Sequence, residues 1–478
     1  MKIYAPNIHL FAFQLYKGSN LDPDTISNDV NFIWERGDTI VKEVLQQDLQ
    51  LSKRIDVKKQ PEFTKVDILK DAQEVAVYFE GNINPNSQQD VLLKGFTYPC
   101  RISDSYGLWL NLRRPEQENN QRTEDVETDF LQYLNPKNCL VLPEHPLFLG
   151  QTLLITACLK NAKDKQHSQQ IADEFLQQIA DECLQQVFSN QNQNLVPPFY
   201  RQGKLFGSPI FEYGLPNQSS QYQQVLIWLF TEDKTDKLFN QCYAELLDLC
   251  FYHHKVVKSY KDSRIIYQKL DENYRKIESE VDNIPEPENT QRLTRKYLKS
   301  LQKQLKAFPK LSLEYTRLLL NLEDKQNTIA INADNYSYKL DQIKQTLNGE
   351  SVEFLENFLN RNCVTFKRQI QGDLGYFQHG SQLLDQAINS IRGIVEIEQT
   401  ERDRSLETTV QILGIGFGGG AIVSGVVVQH IDKINQPVAF ISPNSPPHPF
   451  YASLFLSVVA TLGCTLIAML GIWISKRK

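Results

Sequence analysis

The sequence predicts an α+β cytosolic domain followed by a long helical stalk and a C-terminal two-helix transmembrane hairpin. Three observations lead there. Up to about residue 232, short apolar runs alternate with Gly, Pro, Asn and Asp, the pattern of strands joined by turns. From Thr235 onward the apolar residues recur at helical spacing. Near the C-terminus, Val410–Val428 and Tyr451–Ile474 contain no charged residue, and each run is close to the ~20 residues that cross a bilayer core. The corresponding boundaries are 1–232 for the mixed domain, 233–409 for the helical domain and stalk, and 410–428 for the first span. The connecting loop is 429–450, the second span 451–474 and the basic tail 475–478.

In the first region, strands are expected at Leu10–Leu15, Val75–Phe79, Gly95–Ile102, Leu108–Leu112, Leu140–Leu142, Thr152–Cys158, Leu205–Phe211 and Gln224–Phe230. Helices are expected at Asp29–Asp48 and Lys163–Ser189. The second contains a repeat of period eight, "QQIADEF" followed by "LQQIADEC". Eight is not a heptad, so it reads as one amphipathic helix. Glu116–Asp129 is polar enough for a loop. The start, "MKIYAPNIHLFAFQLYKG", is not a secretory signal, because Pro6, Asn7 and His9 interrupt its apolar run. The eight cysteines form no C-x-x-C pair and read as reduced thiols. The net charge of -6 gives no case for a nucleic-acid partner.

The helical region is punctuated by Asn283-Ile284-Pro285-Glu286-Pro287, by Pro309 and by the Asn348-Gly349-Glu350 turn. After Ser351, the apolar series Leu355, Leu359, Cys363, Phe366, Ile370, Leu374 and Phe377 continues beyond Gly380 with Leu384, Ile388, Ile391 and Val395. That is a coiled-coil-like amphipathic stalk, with a kink expected at Gly372, Gly375 and Gly380. It runs through Glu401–Thr409 into the first span.

One basic pattern stands out. Arg292, Arg295, Lys296, Lys299, Lys303, Lys306 and Lys310 follow one another with no acidic residue between them. Most share one helical stripe. A solvated face is the ordinary reading; the functional one is contact with anionic lipid headgroups or an acidic ligand. Cys250 and His254, four apart, could touch one metal, but a pair is not a site, and core packing is the expectation. No P-loop, H-E-x-x-H or serine triad pattern occurs. Neither an enzyme nor a cofactor or metal is expected.

Gly414-x-Gly416-x-x-Gly419 matches a dinucleotide fingerprint. Its surroundings do not: the charged "IEQTERDRSLETT" precedes it where a buried strand is needed. The glycines serve helix packing instead. Gly414, Gly418, Ala421 and Gly425 lie on one helical face, and Ser453, Ser457 and Ala460 repeat that spacing in the second run. Small residues let helix backbones approach closely in lipid. The face can pack the two spans together or drive self-association around an axis, and self-association to a homo-oligomer is the preferred reading.

Orientation follows from positive charge. The loop has Lys433 alone, whereas Arg392, Arg402 and Arg404 precede the first span and Lys476, Arg477 and Lys478 follow the second. Both termini are therefore expected in the cytosol and the hairpin in the inner (plasma) membrane.

The order of cytosolic domain, long helices, stalk, first span, short loop and second span resembles the CorA-type divalent-cation transporter superfamily. The similar part is Ser351–Lys478, carried above all by "ERDRSLETTVQILGIGFGGGAIVSGVVV". The resemblance implies a pentamer with a pore lined by the Val410–Val428 helix. The family's Gly-Met-Asn signature has no counterpart, since the only methionines are Met1 and Met469. The function expected is thus regulation of an oligomeric CorA-like channel or transporter for ions or small solutes. The alternative is a non-conducting, membrane-anchored sensor or scaffold that recruits a cytosolic partner.

Overall fold

A computed structural model describes residues 1–16, 31–59, 65–85, 90–159, 169–189, 196–216, 224–284, 294–400 and 449–475, with 410, 414, 415, 418, 421–423 and 425. It confirms an N-terminal α/β sheet domain followed by long helices. The chain forms two compact units, one of Met1–Lys269 with Leu318–Tyr376, the other of Leu270–Arg317 with Phe377–Lys478.

The first unit is built on a ten-stranded sheet. Its strands are β1 (Lys2–Leu15), β2 (Lys65–Asp67), β3 (Val77–Ile83), β4 (Val91–Ile102) and β5 (Ser105–Arg113). A two-residue hairpin, β6 (Gln117–Glu118) and β7 (Gln121–Arg122), and β8 (Val126–Glu127) follow. Then come β9 (Phe148–Cys158), β10 (Phe199–Leu205), β11 (Ser208–Tyr213) and β12 (Gln224–Phe230). The order is β10-β11-β12-β9-β1-β5-β4-β2, with β3 also on β4 and β8 on β1. Among the described residues, the β12–β9 pair alone is parallel; the crossover between them includes α2 (Gln169–Val187).

Period-two alternation sorts the side chains of β1. Ile8, Leu10 and Ala12 enter a core with Trp34, Ile40 and Val41 of α1 (Phe32–Leu45) and with Ile179, Cys183 and Val187 of α2. Asn7, His9, Phe11 and Phe13 therefore face the other way. The residues that interrupt the apolar run in the sequence are half of a strand pattern.

Three expectations for this region are corrected. Leu140–Leu142 is not a strand. Gln151 takes the place of a ladder, donating to Leu140 O at 3.0 Å and accepting from Leu142 N at 2.8 Å. Leu205–Phe211 is not one strand but two, because Phe206 and Gly207 adopt φ of 52° and 86° and reverse the chain. Glu116–Asp129 is not all loop, since it forms the β6–β7 hairpin and pairs β8 with β1.

The long helices are α3 (Asp233–Asp282), α4 (Arg295–Thr346) and α5 (Val364–Thr400). In α4, Leu301, Phe308, Tyr315, Leu322, Ile329, Tyr336 and Ile343 are all buried at intervals of seven. In α5 the buried positions Phe366, Asp373, Gly380 and Ala387 alternate with Ile370, Phe377, Leu384 and Ile391. Both are heptad seams, consistent with a coiled coil. Pro309 does not end its helix. It lies exposed inside α4, and the seam buried on both sides of it offsets the roughly 3 kcal/mol that an internal proline costs. Nor do the glycines break α5, which runs unbroken through Gly372, Gly375 and Gly380. Irregularity comes earlier, in a π-helical turn at Phe358–Cys363 after a short helical segment, Glu353–Asn357.

Within the second unit, Tyr315 donates to Phe377 O at 2.7 Å, and Tyr297 donates to Asn283 O at 2.8 Å. Gly380 gives close approach there. A Cβ on it would overlap the Tyr315 hydroxyl and lie 2.8 Å from Tyr274 Cδ2.

The last helix is α6 (Pro449–Ser475). Among the described residues, no helix is long and apolar enough to cross a membrane. Glu401–Thr409 and most of the 410–428 run and its following loop lie outside the described residues.

Candidate functional site

The sheet face that carries His9 forms one wall of a cavity of about 750 Å³. Register assembles that wall. His9 stands opposite Asn111 of β5, Asn7 opposite Arg113, and Phe11 opposite Trp109. On the other side Asn7 is opposite Thr156 of β9, and on β4 Phe96 is opposite Asn111 and Tyr98 opposite Trp109. The facing wall is the start of α3, where Asp236, Phe239, Asn240, Tyr243, Ala244 and Leu247 line the cavity. Their spacing of three, one, three, one and three is a single helical stripe.

The wall is aromatic. Trp109 lies 5.0 Å from Phe96, edge to face, and 5.2 Å from Tyr243 between ring centroids. His9 is held among Phe11, Trp109 and Phe239 at 6.1, 5.8 and 5.4 Å.

His9 has a defined protonation. Trp109 Nε1 donates to its Nδ1 at 3.1 Å, and Asn111 Nδ2 lies 3.2 Å from the same atom. An indole can only donate, so Nδ1 is an acceptor and the proton of the neutral ring sits on Nε2. Burial, reinforced by the charge of Arg113, lowers the His9 pKa to about 3. The imidazole is therefore neutral at physiological pH, and it is 4% exposed. Among the described residues its Nε2 has no hydrogen-bond partner. Neither has Oδ1 of Asn111, which is 1% exposed. An unmet buried polar atom costs about 1–3 kcal/mol. His9 and Asn111, both in the cavity lining, thus carry one buried donor and one buried acceptor without a partner among the described residues. Charge sits nearby: Arg113 is exposed and makes no ion pair among the described residues, while Lys65 is tied to Asp248 at 2.9 Å.

The sequence-selected Cys250 and His254 lie on α3 further along the same sheet face. Both engage Thr152 of β9. His254 Nε2 is 2.8 Å from Thr152 Oγ1, whose hydrogen goes to Gln224 Oε1 at 2.8 Å. Cys250 lies near the same threonine. The chain continues through Gln224 Nε2, which donates to Glu212 Oε1 at 2.6 Å, and Arg201 Nε, which donates to Glu212 Oε2 at 2.6 Å. These contacts tie α3 to the sheet. Among the described residues, no three His, Cys, Asp or Glu side chains converge to hold a metal.

Of the basic stripe, Lys296, Lys299, Lys303, Lys306 and Lys310 are exposed on α4, and no ion pair engages them among the described residues. Steps of three, four, three and four residues keep them on one stripe. Buried Leu301 and Phe308 occupy another face. Arg295 begins α4, and Arg292 lies outside the described residues.

The glycine face is open. A Cβ on Gly414, Gly418 or Gly425 would meet nothing within 4 Å among the described residues, and Ala421 is exposed. Ser453, Ser457 and Ala460 are half-buried on α6.

Sequence reasoning missed the cavity. Its signal was present as polar Asn7, His9 and Asn111 at alternate positions within otherwise apolar strands. Compared with protein-family models, curated proteins and solved structures, the chain matches none.

Proposed function

We propose that this is a two-span protein of the inner (plasma) membrane whose N-terminal domain regulates an oligomeric CorA-like channel or transporter for ions or small solutes. Both termini lie in the cytosol in this reading. The observation that carries it is the surface of α6, a helix whose described part falls short of a full membrane span. Leu454, Phe455, Val458, Val459, Leu462, Leu466, Ile467 and Leu470 are all exposed, Ile467 by 71%. They form two adjacent rows, Leu454, Val458, Leu462, Leu466 and Leu470 beside Phe455, Val459 and Ile467, a broad apolar face opposite the half-buried Ser453, Ser457 and Ala460. In water, each apolar Å² left exposed forgoes roughly 25 cal/mol, whereas lipid removes that cost. The hydroxyls of Thr461 and Thr465 donate to Ser457 O and Thr461 O at 2.8 and 2.7 Å, so they need no water. The spacing of Gly414, Gly418, Ala421 and Gly425 on one helical face suits association between copies. The departure from the Gly-Met-Asn signature leaves the ion unassigned.

A second reading, a non-conducting anchored sensor or scaffold, is favoured by the exposed lysines of α4. Such a stripe suits anionic lipid headgroups or an acidic partner.

The test is uptake of magnesium, potassium and chloride by proteoliposomes of the full chain, with Gly418→Leu beside it. The expected result is flux that falls in the variant together with oligomer mass, because a leucine at the open face blocks close helix approach. Absence of flux, with an oligomer mass that Gly418→Leu leaves unchanged, would refute this reading and favour the anchored sensor.

A further inference from the structure

We infer that the cavity between the sheet and α3 binds a planar heteroaromatic ligand bearing a negative charge, the chemistry of a mononucleotide. The inference stands on the first unit alone and not on the membrane reading.

Three features define the ligand. First, His9 and Asn111 line the cavity, and among the described residues the buried His9 Nε2–H and Asn111 Oδ1 have no partner. One seeks an acceptor and the other a donor. A purely apolar occupant would leave both unmet; a heterocycle with ring nitrogens and exocyclic amino or keto groups offers both. Second, the wall around them is made of ring faces and edges, with Trp109 between Phe96 and Tyr243. Flat rings stack on such surfaces, and stacking of a base on an aromatic side chain is worth about 1–3 kcal/mol. Third, Arg113 belongs to the same wall and has no ion pair among the described residues. Its planar guanidinium matches phosphate oxygens bidentately. Glu116 and Asp236 also line the cavity. Carboxylates are acceptors for sugar hydroxyls, which suits a nucleotide better than a bare aromatic acid. The volume of about 750 Å³ lies in the range of small-molecule sites.

The geometry also fixes the role of each residue. Trp109 does double duty: its indole N–H holds the His9 tautomer and its ring offers a stacking face. Loss of that N–H would leave Asn111 Nδ2, at 3.2 Å, to hold His9 Nδ1 as an acceptor.

Calorimetric titration of the full chain in detergent with AMP, GMP, CMP and UMP tests this, with the matching nucleosides and ribose 5-phosphate alongside. At least one mononucleotide is expected to bind at one site per chain, about ten-fold more tightly than its nucleoside and than ribose 5-phosphate. His9→Phe, which removes the donor but keeps a flat ring, should weaken binding about ten-fold, the effect of one unmet hydrogen bond. Arg113→Gln, at an exposed position, should reduce the nucleotide to the affinity of its nucleoside and leave nucleoside binding unchanged. Failure of all four mononucleotides to bind at millimolar concentration would overturn the inference. So would nucleotide binding that neither variant alters.

Discussion

Gly380→Ala should destabilise the protein, while the same change at Gly372 or Gly375 in the same helix should stabilise it. The sign difference is a consequence of packing. Inside a helix, alanine is better than glycine by about 1 kcal/mol. At Gly372 and Gly375 a Cβ would meet nothing within 4 Å among the described residues, so the substitution collects that gain. At Gly380 the same atom would overlap the Tyr315 hydroxyl and lie 2.7 Å from Tyr315 Cζ and 2.8 Å from Tyr274 Cδ2. Tyr315 is fully buried and donates to Phe377 O at 2.7 Å, so its ring cannot swing into solvent without losing that bond. Overpacking of this kind costs about 1–3 kcal/mol, and the hydrogen bond about 1 kcal/mol more. Net of the helix gain, Gly380→Ala should lose about 1–3 kcal/mol and separate from Gly375→Ala by about 2–4 kcal/mol. Urea unfolding followed by far-ultraviolet circular dichroism would read this as midpoints moving in opposite directions. Adding Tyr315→Phe to Gly380→Ala should recover part of the loss, because it removes the atom that the new methyl overlaps. A Gly380→Ala midpoint equal to that of Gly375→Ala would refute the packing argument.

Two further outcomes follow from the buried charges. His9 and His253 both have pKa values lowered to about 3, chiefly by burial and then by nearby arginine. The unfolded chain, with ordinary histidines, binds more protons below pH ~6.5, so stability is complete above that pH and falls as the pH drops toward 3. At pH 5 each should contribute a loss of about 2 kcal/mol relative to pH 7.5; a urea midpoint equal at the two pH values would contradict this, and His253→Phe should flatten the slope. Asp248, 5% exposed, receives Lys65 at 2.9 Å and Lys339 at 3.0 Å, and Asp248→Asn leaves two partly buried ammonium groups without their anion. The expected loss is about 3 kcal/mol, the lower end for a broken buried pair because both lysines reach solvent, and a loss under about 0.5 kcal/mol in the same assay would rule the pairing out as a stabilising contact.

Much of the fold could be read before the coordinates. Gln224–Phe230 is apolar throughout because β12 is buried on both faces, and such a run identifies itself. The heptad from Leu301 to Ile343 was equally present in the sequence, yet Pro309 obscured it. Proline's penalty is local and can be set against a local pattern, whereas the burial that outweighs it is distributed along the whole seam. Leu140–Leu142 misled for the opposite reason. Its apolar residues are buried as a strand's would be, but the side chain of Gln151 supplies the hydrogen bonds, and no periodicity reports which residue will do that.

What the sequence determined by itself was the kind of element at each place: strands where apolar residues alternate, helices where they recur every three or four, and an uncharged C-terminal run. These follow from backbone periodicity, which is local. What only the tertiary structure decided was which residues meet. His9 and Asn111 are far apart in the chain and become neighbours through the register of β1 on β5. That register also leaves one hydrogen-bonding atom of each unused beside an aromatic wall. Gly380, indistinguishable in sequence from Gly372 and Gly375, is the one of the three beneath Tyr315. Contact between distant residues depends on how elements pack, and packing energy is summed over surfaces that no short window of sequence contains.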